Sequence, residues 1–294
     1  MKTFSRFLTI GVGGICLFSS GNAQDFGTRQ AIDSLDFYVF TEAGGQYIPS
    51  IQFKDSNYSE SGSYSENVEG VALSASGTFS AQVSDFVVQP AIGYNFILGF
   101  GYQINQNLSI ELEAGYAQSR ITSGSCSYNE SVSGDISVNG SSIANGTLSF
   151  DGTRSLNGSV NLTQIPILIG LAVQERSEKF QPMASVGFGV CPSIMSGNIT
   201  QGSFNGTLTA SGPGGSVSLP FSGITAIDNQ NFNTSTAYPF AFKLKAGFDY
   251  VFDPSISLGV RAWAMGLANS NFGDQMQADL YGSLGLNAAL KFRF

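Results

Sequence analysis

The stretch Tyr238-Pro239-Phe240-Ala241-Phe242-Lys243-Leu244-Lys245-Ala246-Gly247-Phe248-Asp249-Tyr250-Val251-Phe252 decides the fold. Tyr238, Phe240, Phe242, Leu244, Ala246, Phe248, Tyr250 and Phe252 recur at every second position, and Lys243, Lys245, Gly247 and Asp249 fall between them. Neighbouring side chains of an extended strand point to opposite faces. One face of this strand is therefore apolar and aromatic, and the other is small, polar or charged. A helix would need its apolar residues every three to four positions, which this stretch does not offer.

The same reading extends in both directions. In 108–117, Leu108, Ile110, Leu112, Ala114 and Tyr116 share one face, and Ser109, Glu111, Glu113 and Gly115 share the other. In 280–294, Leu284, Leu286, Ala288, Leu290, Phe292 and Phe294 alternate with Ser283, Gly285, Asn287, Ala289, Lys291 and Arg293. The runs 35–53, 86–103, 160–174, 180–194 and 256–269 complete a set of about eight strands. Three connections are tight: Asn105-Gln106-Asn107, Glu175–Lys179 and Asp253-Pro254-Ser255. The others, 54–84, 123–158, 198–236 and the shorter 270–278, are rich in Ser, Gly, Asn and Thr. Tight and long connections alternate strictly, which is the signature of a membrane-spanning barrel with short periplasmic turns and long external loops. The expectation is an all-β fold: a closed antiparallel transmembrane β-barrel with long extracellular loops and both termini on the periplasmic side.

A soluble sandwich would alternate too, but its outer face would carry charge. Here charged residues are only 12% of the 294, Gly numbers 36 and Phe 24, and the apolar faces are almost unbroken. Aromatics near strand ends (Phe37, Tyr102, Tyr238, Tyr250, Phe252, Phe292, Phe294) suit interfacial girdles. Pro90, Pro166 and Pro182 sit inside expected strands and depart from the pattern, because each removes a ladder donor. The long loops contain short alternating pieces, such as Thr147-Leu148-Ser149-Phe150, that suit either hairpins extending the wall or mobile segments.

Residues 1–23 read as a signal peptide: Lys2 and Arg6, an apolar run Phe7–Phe18, then Gly21-Asn22-Ala23 as a small-x-small cleavage site. Cys16 follows Ile15, where a lipoprotein site needs a small residue. Residues 24–294 then form the outer-membrane barrel domain. Export favours a disulfide between the two remaining cysteines, Cys126 and Cys191. Such a bridge requires loop 123–158 to fold over the barrel mouth.

The formal net charge is −8 and no basic cluster occurs, so nucleic acid is not an expected partner. The sequence holds no histidine, which removes Ser/His/Asp and Cys/His nucleophilic chemistry and most zinc sites. No enzymatic activity and no cofactor or metal are expected. Glu111 and Glu113 lie on one face about 7 Å apart, but in a narrow interior with little room for a sugar. The acidic first loop (Asp55, Glu60, Glu66, Glu69) reads first as a solvated face, with cation binding as the alternative. The inward charges form the candidate site: acids Glu42, Glu111, Glu113 and Asp249, and bases Lys243, Lys245 and Arg261. Glu42, Glu113, Lys245 and Arg261 fall at similar depth. An eight-strand barrel has an interior that side chains fill, and an isolated buried charge is costly, so these residues are expected to pair as a luminal network. Trp263 points inward beside Arg261.

The end of the chain, Leu290-Lys291-Phe292-Arg293-Phe294, resembles the signal that barrel-assembly machinery reads in bacterial outer-membrane proteins, with Phe292 and Phe294 as its aromatic positions. The hairpin Gly101–Glu111 and the piece Ile165-Pro166-Ile167-Leu168-Ile169-Gly170-Leu171 resemble the small outer-membrane barrels of the OmpA-type and opacity-protein-like group. The resemblance implies an outer-membrane location in a Gram-negative cell, with outer-membrane lipid and the assembly machinery as partners. It also implies a structural or surface-interaction role, with an extracellular ligand or host surface met by the loops. The alternative is a narrow channel or small-ligand transport barrel gated by the luminal charges. The peptidoglycan-binding domain of two-domain relatives has no counterpart here, so a cell-wall tether is not expected.

Overall fold

The computed structural model describes residues 37–68, 71–138, 140–175, 179–272 and 276–294. The expected signal peptide and Glu69 lie outside them. The described chain is all β: β1 (Phe37–Ile48), β2 (Ile51–Gln52), β3 (Ser56–Val68), β4 (Val71–Val88), β5 (Ala91–Gln103), β6 (Leu108–Val138), β7 (Ser141–Gln164), β8 (Ile167–Gln174), β9 (Phe180–Val190), β10 (Ser193–Gly212), β11 (Gly215–Ala237), β12 (Phe240–Asp253), β13 (Ile256–Asn271) and β14 (Gln277–Arg293).

Eight of these strands close a ring. The order β1-β5-β6-β8-β9-β12-β13-β14 is antiparallel throughout and returns to β1. Closure removes the unpaired edges that an open sheet would expose. At one end the connections 104–107, 175–179 and 254–255 are tight. At the other end the strands run on into long hairpins.

The outer face of the ring is an apolar belt. Ile92 is 75% exposed, and Phe96, Leu112, Ile169, Phe240 and Leu286 are each at least half exposed. Along β5 the outward residues run from Ile92 to Tyr102, about 34 Å of strand and about 26 Å along the axis at a 40° tilt. That height matches the hydrocarbon band of an outer-membrane barrel, about 25 Å. An apolar surface of this extent belongs in lipid. The chain is a membrane-spanning β-barrel of the outer-membrane type.

The prolines mark where the ring ends. Strands break at Pro49, Pro90, Pro166, Pro192 and Pro239, between β1 and β2, β4 and β5, β7 and β8, β9 and β10, and β11 and β12. Their carbonyls still serve the ladder: Gly115 N–H donates to Pro166 O (2.9 Å), Ile165 to Pro192 (2.8 Å) and Cys191 to Pro239 (3.0 Å). Pro90 and Pro166 are therefore boundaries rather than defects. Pro182 does lie within β9, opposite Phe248 near the tight-turn end.

Above this level the long connections are ordered hairpins, not loose segments. They form an open six-stranded wall in the order β3-β4-β6-β7-β10-β11. The turn between β6 and β7 places Gly140 at φ +81°, which favours glycine. Register shifts at Ile121/Ser123 on β6 and Ile199/Gln201 on β10 mark bulges where the wall leaves the ring. The alternation of β7 passes through this level unbroken. Gln164 and Leu162 face the lumen, and Phe150 and Leu148 continue their face. Cross-strand rows on that face join Phe79, Val132, Leu148 and Ala210, with Phe150 opposite Leu208. The other face carries Ser80, Ser131, Ser149, Thr209 and Ser218 in one row. The barrel is apolar outside and charged inside, whereas the wall is polar outside and apolar inside.

Candidate functional site

Among the described residues the lumen holds four buried acids, Glu42, Glu111, Glu113 and Asp249, and four buried bases, Lys243, Lys245, Arg261 and Lys291. The equality makes the interior electrically balanced, as a low-dielectric site requires. Two clusters carry these charges. In the first, Lys243 Nζ lies 2.7 Å from Glu113 Oε2, and Lys245 Nζ lies 2.9 Å from Glu42 Oε1 and 3.4 Å from Glu111 Oε2. Lys245 also pairs with Glu113. Both lysines project from β12, whereas Glu42 is on β1 and Glu111 and Glu113 are on β6. Those strands stand three places away around the ring in either direction, so the lysines span the lumen. Tyr38 donates to Glu111 Oε1 (2.8 Å), and Asn287 donates to Glu42 Oε2 (3.2 Å).

The second cluster lies nearer the tight turns. Arg261 pairs with Asp249, Lys291 Nζ lies 3.1 Å from Asp249 Oδ2, and Gln174 donates to the same oxygen (2.7 Å). Gly259 faces this pair, and a Cβ there would overlap both Asp249 and Arg261. Arg261 thus does not join Glu42, Glu113 and Lys245. Trp263 is buried on the same inward face of β13 as Arg261, and Lys243 Nζ lies over its ring, 5.6 Å from the centroid. Lys291 belongs to the inward set of the final strand, yet sequence reasoning left it out of the charged group. The inward alternation of 283–293 already carried the signal.

Above the charges, Gln46 donates to Ser119 (2.6 Å) and to Gln164 (3.3 Å). An apolar layer including Ile48, Ile121, Leu162, Met265, Leu267 and Phe272 then fills the mouth. These neutral polar and apolar layers were not read from the sequence.

The expected Cys126–Cys191 disulfide is not formed; both thiols are free and buried. Cys191 sits at the ring boundary, just before β10, whose first residue Ser193 is in register with Gln164 of β7 and through it with Ala117 of β6. Cys126 lies roughly 30 Å beyond Ala117 along β6, in the wall. An ordered hairpin cannot fold back over the mouth to join them. Burial pushes the Cys126 thiol above its ordinary pKa, against the opposing effect of Arg154.

Phe292 is 37% exposed on the lipid face of β14, and Phe294 is 78% exposed, its N–H bonded to Phe37 O (2.9 Å). Among the described residues no group of three His, Cys, Asp or Glu is placed to hold a metal ion. Glu111 and Glu113, the carboxylate pair weighed for catalysis, are both engaged by Lys245.

No protein-family model matches the chain, and no curated protein matches it in sequence. Among solved structures the chain is similar to Neisserial surface protein A at 11% identity and TM-score 0.37, over 88% of this chain and 97% of that one. It is similar to the outer-membrane protease OmpT of Escherichia coli at 12% and 0.37, over 91% and 99%. It is similar to the outer-membrane protein OprG of Pseudomonas aeruginosa at 12% and 0.31, over 89% and 96%. The fold itself stands on the chain's own strand pairing.

Proposed function

We propose that this chain is an outer-membrane surface protein whose barrel is a plugged anchor and whose external wall is the working part. The carrying observation is the filled lumen. Lys243 and Lys245 tie β12 across to β1 and β6, and the apolar layer above them closes the mouth. Outer-membrane lipid covers the belt, both termini lie on the periplasmic side with the tight turns, and the wall stands outside. Phe292 and Phe294 present the terminal strand to barrel-assembly machinery. The wall offers an extended polar outer face of Ser, Thr and Asn hydroxyls and amides to an extracellular ligand or host surface. No catalytic step is assigned.

The test separates anchor from platform. A variant with the β10–β11 hairpin cut back to its foot should fold and stay as impermeable as the wild type, while losing adhesion of expressing cells to a host-cell monolayer. Unchanged adhesion would remove the wall from the function.

One observation favours a second reading, a gated passage. The lower plug consists of side chains alone, and Lys245 holds three carboxylates at once. On that reading Glu113→Gln should raise permeability to small ions, whereas a structural plug should lose stability without opening.

A further inference from the structure

At the foot of the wall, on its lumen-side face, lies a cleft open to solvent, with about 50 Å³ of cavity volume at its base. Phe53, Phe86, Ile121, Leu156, Met195 and Met276 supply most of its lining. Thr122, Ser123 and Asn157 also line it, but its surface is almost wholly apolar, and among the described residues no charged side chain lines it. The cleft lies where the β6 bulge separates ring from wall, and the apolar layer of the mouth forms part of its lining, through Phe53, Val88, Ile121 and Met195.

One step further along the same face of β7 stands Arg154. It is the single Lys or Arg in the sequence of residues 56–88, 122–164 and 193–237. Its guanidinium lies 4.6 Å from the ring of Phe204 and 5.3 Å from that of Tyr128. Its Nε is buried without a hydrogen-bond partner. On this face too, Tyr128 donates its hydroxyl to Glu130 Oε2 (2.7 Å). A cation held between aromatic rings at the head of an apolar cleft has a defined complement.

We infer that the cleft and Arg154 together bind one single-chain alkyl carboxylate, with part of the chain in the cleft and the carboxylate on the guanidinium. A guanidinium offers paired donors in the geometry a carboxylate accepts. Apolar lining with a few polar groups at one end is the common form of a small-ligand site. Met195 and Met276 are flexible enough to adjust to the chain. From Arg154 to Val160, β7 runs about 20 Å, so a medium-length chain would lie along the open groove with only part of its length in the cleft. A plain hydrocarbon would leave Arg154 unused, and a wholly polar ligand would find no partner in the cleft. The site stands whether or not the wall also meets a second surface.

The test is equilibrium binding of radiolabelled dodecanoate to the protein in lipid nanodiscs, with empty nanodiscs subtracted and dodecanol as the uncharged probe. Wild type should bind dodecanoate saturably, one per chain. Arg154→Gln should weaken dodecanoate about tenfold, a charge-assisted contact being of that order, while dodecanol changes little. Arg154→Lys should recover part of the loss. Met195→Trp, which fills the cleft, should weaken both probes. Heat-modifiable mobility and protease resistance of the wall establish that each variant is folded. Absence of saturable dodecanoate binding to wild type would overturn the site. So would equal affinity in folded Arg154→Gln, or undiminished binding in folded Met195→Trp.

Discussion

At the scale of single residues, Lys245 carries the most. It is 4% exposed and contacts Glu42, Glu111 and Glu113. Replacing it with Met leaves three buried carboxylates with one fewer cation, and breaking a buried pair typically costs about 3–5 kcal/mol. Lys245→Met should therefore lower the urea midpoint of barrel unfolding in liposomes by an amount of that order; an unchanged midpoint would show the cluster to be passive. The two cysteines should be recovered free. Intact mass should not change on reduction, and Cys126 should react slowly with thiol reagents at neutral pH, since burial holds its pKa up. The sequence was a fair guide to which residues face inward, since alternation alone sets that. It was a poor guide to partners. Partners depend on depth around a sheared ring, so Arg261 meets Asp249 rather than Glu113. The cysteines failed as a pair for a related reason: an oxidising compartment permits a disulfide but does not bring Cys126 down to Cys191.

At the scale of elements, proline and bulge define the parts. Strands that span the membrane were legible because lipid outside and side chains inside enforce strict alternation, as in 238–252. The wall was harder to read. Its strands are Ser- and Gly-rich, and their apolar residues are sparse, so flexible loops had equal claim until the register joined Val132 to Leu148. Pro90 and Pro166 misled for the same reason, since a strand running from ring to wall reads as one element. The wall's apolar face predicts its weak point. Phe150 is 7% exposed between Glu130 and Leu208. Phe150→Asp should open the wall to proteinase K while the barrel keeps its heat-modifiable mobility; loss of both would mean that wall and barrel fold as one unit. The terminal strand gives a second contrast. With Phe294 78% exposed, Phe294→Ala should leave the stability of refolded barrel unchanged. If Phe294 is read during assembly, the same variant should lower the yield of outer-membrane barrel in cells several-fold.

At the scale of the whole molecule, one sheet system changes polarity as it crosses the ring of prolines. Below, lipid takes the apolar face and paired charges take the lumen. Above, water takes the Ser/Thr face and the apolar face turns inward. β7 carries the inward face from one level to the other: Gln164 and Leu162 face the lumen, and Phe150 and Leu148 continue the same face as the apolar side of the wall. On the proposed function the barrel is a support rather than a conduit, because the charged clusters and the apolar layer of the mouth occupy the same axis at successive depths. The most direct measurement is single-channel recording of the purified protein in planar bilayers in molar KCl. A sealed lumen predicts no stable conductance from wild type. Regular, long-lived open channels from folded wild-type protein would contradict it.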